Sequence, residues 1–170
     1  MNHDGILIRC AGPDDETAIS TLLRASYSRL LRPHYNADLL AHALPIITKA
    51  NPRLLAAGTF YVAETAAGSA LACGGWSPGR PGTGNVHAGE THIRHFATHP
   101  DWVRCGLGSA ILARCIDAAR AHGASRVTCY SSLSAEDFYR ANGFTMEARF
   151  DAMLGGTVPF PSSMMARALT

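Results

Sequence analysis

The chain has 170 residues, a formal net charge of +2, 47% apolar residues and 16% charged ones. That length suits one domain over residues 1–170, able to bury a core without a disulfide or a metal, and the composition excludes a disordered chain. The near balance of 15 basic and 13 acidic residues argues against a nucleic-acid partner, whose footprint is a basic stripe.

Fourteen of the 15 basic residues are Arg, with Lys49 the exception, and no run of like charges occurs. No stretch of about 18 apolar residues offers a membrane span. Met1–Gly5 has neither the basic flank nor the apolar run of a signal peptide. The five cysteines, Cys10, Cys73, Cys105, Cys115 and Cys129, are odd in number and widely spaced. They read as free thiols, and the expected compartment is a reducing cytoplasm.

In chain order, Ile6–Cys10 is β-rich. Gly12-Pro13-Asp14-Asp15-Glu16 then opens a helix, with Pro at its first position and acids in its first turn. Ile19, Leu22, Leu23, Tyr27 and Leu30 continue it at helical spacing. A second helix is predicted from Asn36 to about Leu44, broken or kinked by Pro45. Asn51-Pro52 caps another short turn that ends near Gly58. Thr59–Glu64 and Ala70–Trp76 form a predicted hairpin about the turn Ala66–Ser69. The stretch 78–89, with its Gly and Pro residues, is a loop long enough to serve as a lid. Glu90–Thr98 is a strand, and Gly106–His122 is a strong helix closed by Gly123. Its broad apolar stripe, including Leu107, Ile111, Leu112, Cys115 and Ile116, is predicted to face a sheet. Arg126–Tyr130 is a strand. Ser134-Ala135-Glu136-Asp137 is a capping box for a helix that runs to Asn142 and stops at Gly143. Phe144–Leu154 and Ser163–Leu169 are closing strands. The pattern predicts a single α/β domain with a mixed sheet.

The segment from Arg94 to Ser109 runs from a strand through a glycine-bearing loop into a helix N-terminus. Such a junction offers unpaired N–H groups and a helix dipole to a phosphate. Arg104 adds a charge-assisted donor. A dinucleotide fingerprint needs a small residue three positions after Gly108, where Ile111 stands. A P-loop needs Gly-Lys-Ser/Thr, which is absent. A third reading is an acyl-CoA pyrophosphate site.

The chain resembles the GCN5-related N-acetyltransferase (GNAT) superfamily. The family's loop, Arg/Gln-x-x-Gly-x-Gly/Ala, is matched by Val103-Arg104-Cys105-Gly106-Leu107-Gly108, with Val103 at the first position. Its second motif, Asn-x-x-Ala-x-x-Phe-Tyr-x-x-x-Gly-Phe, is matched from Ser132 through Ala135, Phe138 and Tyr139 to Gly143 and Phe144, with Ser132 in place of Asn. One helix and one strand separate the two motifs, as in the family.

The resemblance implies a mostly antiparallel mixed sheet flanked by helices, with a splayed central strand pair that binds acyl-CoA. It implies acetyl-CoA as donor cosubstrate and an amine as acceptor. It places the cofactor on Ala97, Thr98, Val103, Arg104, Cys105, Gly106, Leu107, Gly108, Ser109 and Ser132. It implies a backbone oxyanion donor near Ala97–Thr98, and a general acid at Tyr139. His92 occupies the strand position where histone-acetylating members carry a glutamate base, and imidazole titrates in the right range. Glu90, on the same strand face, is the next candidate. His87, His92, His95 and His99 cluster in sequence, but His92 and His95 are expected to face opposite ways, which argues against a metal site. His99, before Pro100, reads as structural. Tyr27, Tyr35, Trp76 and the 78–89 loop are candidate walls of an acceptor pocket. The acceptor, the length of the acyl group and a homodimeric state stay open. A non-catalytic acyl-CoA-binding or sensor protein is the alternative, with a nucleotide-binding α/β protein as a further rival.

Overall fold

Seven strands form one sheet in a computed structural model that describes residues 5–169. The signal-peptide reading of Met1–Gly5 therefore falls largely outside the described residues. The strands are β1 (Ile6–Cys10), β2 (Phe60–Thr65), β3 (Ala70–Ser77), β4 (Glu90–Thr98), β5 (Arg126–Ser132), β6 (Thr145–Leu154) and β7 (Val158–Ala168), ordered β1-β2-β3-β4-β5-β7-β6. Every neighbouring pair is antiparallel except β4–β5. That pair is parallel because the chain between them crosses over through helix α4 (Leu107–Ala121). The other helices are α1 (Glu16–Leu30), α2 (Ala37–Ile47), α3 (Pro52–Ala56) and α5 (Glu136–Ala141).

Each sheet face has its own core. On one, α4 buries Leu107, Ile111, Leu112, Cys115 and Ile116 against Ala72, Trp76, Ile93, Val127, Cys129 and Met165. On the other, α1 and α3 bury Ile19, Leu22, Leu23, Leu54 and Leu55 against Phe60, Val62, Cys73 and Ala97. Each such aliphatic side chain contributes about 1.5–3 kcal/mol by leaving water. Among the described residues, no helix is long and apolar enough to cross a membrane.

Four expectations need correction. Pro13 opens a 3₁₀ turn, Pro13–Asp15, and α1 starts only at Glu16. Helix α2 runs past Pro45 to Ile47. Pro45 and Ala41 are both exposed, so the carbonyl that loses its N–H partner can turn to water. Strand β7 begins at Val158, five residues before the predicted start. Pro159 and Pro161 are tolerated because β5 first meets β7 at Ser162. Both prolines, two residues apart, turn their missing N–H to a side with no strand partner. Ser134 caps no helix. A 3₁₀ turn, Leu133–Ala135, precedes α5, and the Ser134 hydroxyl meets that of Ser132 at 2.9 Å. The Glu136 carboxylate instead accepts from Ser163 Oγ at 2.5 Å and pairs with Arg149 and Arg140, tying α5 to β7 and β6.

Candidate active site

The centre of the sheet is open at one end. β4 and β5 pair only from Glu90↔Arg126 to Ile93↔Cys129. Beyond that point β5 stays on β7 and β4 stays on β3, so the two strands part. A bulge marks the divergence: the register passes from Gly75↔Arg94 to Cys73↔Ala97, leaving His95 and Phe96 opposite Gly74. His95 takes φ +52°, uncommon for a residue with a side chain. A Cβ on Gly74 would stand 2.3 Å from the Phe96 ring, so this bulge requires glycine there. The His99 N–H donates to the Leu71 carbonyl at 2.7 Å. By strand alternation Ala97 also turns its N–H to β3, and Thr98 turns its N–H into the gap.

From the gap the chain passes through a 3₁₀ turn, Pro100–Trp102, whose Asp101 N–H donates to His99 Nδ1 at 3.3 Å. His99 is thus a capping residue. Arg104 (φ +62°) and Gly106 (φ +83°) then bend the loop into α4. Gly106 is the N-cap and supplies no side-chain acceptor, so the first amides of a 15-residue helix lack a side-chain partner. A Cβ on Gly108 would lie 3.2 Å from the Phe138 ring and 3.5 Å from Thr98 Oγ1. Gly108 therefore brings its backbone close to Phe138 and the end of β4, where a side chain would crowd. Arg104 and Ser109 are exposed, Val103 and Cys105 half-buried, and Leu107 is in the core. Ser132, half-buried, closes β5 on the other side of the gap.

Aromatic rings floor the gap. Tyr139 is buried, with ring centroids 5.0 Å from Phe138, 5.3 Å from Phe144 and 6.4 Å from Phe96. Burial, with the nearby Cys129, Tyr27 and Cys115, pushes its phenol well above the ordinary range, so it keeps its proton. From the opposite face the Tyr27 hydroxyl donates to the Phe96 carbonyl at 2.8 Å.

Ile93, Val127 and Cys129 point into the α4 core, so Glu90, His92, Arg94, Arg126 and Thr128 line the other face. His92 is 1% exposed. Its Nδ1 lies 2.6 Å from Thr128 Oγ1, and its Nε2 lies 3.5 Å from Glu90 Oε1 without a hydrogen bond. Arg80 and Arg126 donate to Glu90 at 3.1 and 3.3 Å. Burial pushes the Glu90 carboxyl up. The Arg80 hydrogen bond and the charges of His92, Arg80 and Arg126 outweigh this, and its pKa falls below the ordinary value. Burial, only partly offset by Glu90, pulls His92 down to about 4, so the His92–Glu90 contact is not an ion pair at neutral pH. Burial, with the Arg94 charge, brings His95 to about 4 as well.

A stability profile follows. An unfolded histidine titrates at about 6.5, so below that pH the unfolded chain binds protons that folded His92 and His95 refuse. Their contribution is complete above about pH 6.5 and is lost as pH falls toward about 4. Melting temperature is expected to hold above neutrality and to drop on acidification, with a shallower slope in His92→Gln. A melting temperature that stays flat through this window contradicts the assignment.

Of the proposed acceptor walls, Tyr27 stands at the gap. Tyr35 stacks on Phe160, donates to the Pro161 carbonyl at 2.8 Å and accepts the Leu133 N–H at 2.8 Å, binding the α1–α2 turn to β7 and to the end of β5. Trp76 does not belong to the wall. It is buried on the α4 face beside His122, because strand alternation puts it on the side of Ala72. The 78–89 loop narrows through a Gly79↔Val86 bridge and brings Arg80 to Glu90. Thr128, Arg94 and the His95 bulge are site features the sequence did not disclose. Pairing across a parallel crossover sets the first, and nothing local marks the bulge.

A model of the acetyltransferase (GNAT) family matches residues 18–144. The GCN5-related N-acetyltransferase of Rhodopseudomonas palustris is similar in structure, with a TM-score of 0.74 and 18% identity over 99% of this chain and 98% of that one. The PaiA N-acetyltransferase of Thermoplasma acidophilum, solved with coenzyme A, gives 0.70 and 15% over 96% and 98%. Ard1 of Thermoplasma volcanium gives 0.64 and 18% over 98% and 99%. At these identities the likeness is one of fold. No curated protein matches the chain in sequence.

Proposed function

The chain belongs to the acetyltransferase (GNAT) family, whose acyl donor is acetyl-CoA, and on that premise we propose that it N-acetylates a primary amine of a small molecule or peptide by direct attack on the thioester. The observation that carries this reading is the gap between β4 and β5, with a helix start whose first amides have no side-chain partner on one side and a protonated phenol at its floor.

The parts divide the chemistry. Backbone amides from Val103 to Ser109 hold the pyrophosphate, and the Arg104 side chain adds charge. The Thr98 N–H, on the open side of β4, donates to the carbonyl oxygen as negative charge develops there. Tyr139 gives its proton to the departing thiolate. Ala97 holds β4 in register on β3, and Ser132 offers its hydroxyl to the pantetheine arm.

A free amine has a pKa of about 10 and must lose a proton to attack. Burial keeps His92 neutral at physiological pH with a lone pair free, but it also makes the ring a weaker base than the free imidazole expected from the sequence, so the neighbouring Glu90 carboxylate must stabilise the cation that forms. The Thr128 hydroxyl, 2.6 Å from Nδ1, holds the ring, both side chains being buried at 3% and 1% exposed, and Glu90 lies behind the imidazole. His92→Ala is expected to lower turnover by about 10²-fold or more near neutral pH, with CoA affinity close to wild type. A fully active His92→Ala beside an inactive Glu90→Gln moves the base to Glu90. Full activity in both leaves deprotonation to water.

The test is a panel of amines with acetyl-CoA, read as free thiol release. Release that depends on the amine supports the proposal. CoA binding with no release from any amine overturns it in favour of a non-catalytic acyl-CoA-binding protein.

A further inference from the structure

We propose that Arg94 is a specificity residue for the acceptor: the amine acylated here carries a carboxylate, and the Arg94 guanidinium binds it. This rests on the acyl-transfer reading above and adds the substrate class to it.

The first observation is position. Arg94 is the last β4 residue before the bulge, next to the point where β4 and β5 part. Ile93 points into the α4 core, so Arg94 points to the other face, with His92 and Glu90. On the acyl-transfer reading, the donor's phosphates sit at the start of α4, on the face that α4 covers. The acceptor therefore approaches from the face of Arg94, where the base candidates are.

The second observation is charge. Three arginines line this strip. Arg80 is paired with Glu90, and Arg126 is paired with both Glu90 and Glu147. Among the described residues, no carboxylate lies within ion-pair distance of Arg94. Among the described residues its one hydrogen bond is from Nη1 to Ser77 Oγ at 3.0 Å, and Ser77 is itself fixed by donating to the Gly79 carbonyl at 2.8 Å. Arg94 is only partly exposed, and burial lowers its pKa, the mark of a cation short of both water and counter-ion. A charge in that state is unfavourable unless a ligand completes it. Its Nε and Nη2 have no hydrogen-bond partner among the described residues and are not among the fully buried orphan atoms, so one edge of the fork is left for a ligand. That edge matches a carboxylate with two parallel N–H···O bonds. A single unpaired cation suits a monoanion better than a phosphate dianion.

The acceptor is accordingly an amino acid or a related small amine with a carboxylate near the reacting nitrogen. The test compares matched acceptors, each an amino acid beside its own carboxamide, with acetyl-CoA and free thiol as the readout. Wild type is expected to favour the carboxylate member by about 10- to 100-fold in kcat/KM, as a charge-assisted pair gives. Arg94→Gln is expected to collapse that ratio toward one, chiefly through a higher KM for the carboxylate member. Arg94→Lys, which keeps the charge and loses the fork, falls between. Melting curves of both variants establish that they fold. If wild type uses the carboxamides as well as the acids, or if Arg94→Gln leaves the ratio unchanged, Arg94 is not the carboxylate site, and the acyl-transfer reading stands untouched. If no amine releases thiol, that reading fails instead. Calorimetry with N-acetylated amino acids and CoA then decides Arg94: binding abolished by Arg94→Gln supports the anion site, and equal or absent binding overturns it.

Discussion

Tyr139→Phe is expected to lower turnover by about 10²–10⁴-fold, the usual worth of a general acid, while CoA affinity and melting temperature stay near wild type. The substitution removes one oxygen and keeps a ring that packs against Phe96, Phe138 and Phe144. The phenol's raised pKa means that the proton is present throughout the physiological range, so the loss should not depend on pH near neutrality. An acyl donor whose leaving group needs no proton should restore much of the rate. A purely packing role gives the opposite pattern, with Phe tolerated and Tyr139→Ala unstable by about 3–5 kcal/mol, as for an emptied aromatic site. Turnover measured for both variants beside their melting curves separates the two, and a fully active Tyr139→Phe enzyme ends the general-acid assignment.

Gly108→Glu is expected to abolish CoA binding. Its Cβ alone would press on Phe138 at 3.2 Å and lie 3.5 Å from Thr98 Oγ1, and the carboxylate beyond would occupy the anion site at the start of α4. The readout is ligand-induced thermal stabilisation. At 100 times Kd, binding adds about 2.7 kcal/mol to the wild-type fold, or about 5–10 °C for a chain of this size. The Glu variant should show no shift. Gly108→Ala adds bulk without charge and should retain a reduced one. An undiminished shift in Gly108→Glu contradicts the placement of the pyrophosphate.

Much of the fold is legible because its punctuation is chemical. Asn36 and Asn51 cap the helices they precede, accepting from Leu39 N and from Arg53 N. Gly123 and Gly143 stop α4 and α5 at φ +95° and +83°. The limits of β4 follow from the glycine-rich stretch before it and Pro100 after it. Where the reading missed, tertiary partners overrode local signals. Ser134 and Glu136 have the spacing of a capping box, but Ser163, Arg140 and Arg149 claim the Glu136 carboxylate. Pro159 and Pro161 discourage a strand, yet they sit where β7 has no neighbour on their N–H side.

The site divides in the same way. The glycine loop and the Phe138-Tyr139 pair lie in contiguous motifs and can be read directly. The face of Trp76 depends on strand register, the Thr128–His92 contact on a crossover 36 residues long, and the isolation of Arg94 on where Glu90 and Glu147 spend their charge. None of these is written in a local window.

The most direct measurement follows the acetyl carbonyl itself. With acetyl-CoA labelled at that carbon, an amino-acid acceptor and the protein, the thioester carbonyl signal should disappear as an amide carbonyl signal grows in equal amount. Neither change should occur when the acceptor or the protein is left out. A thioester signal that persists with every amine, or that passes only to free acetate, contradicts the account.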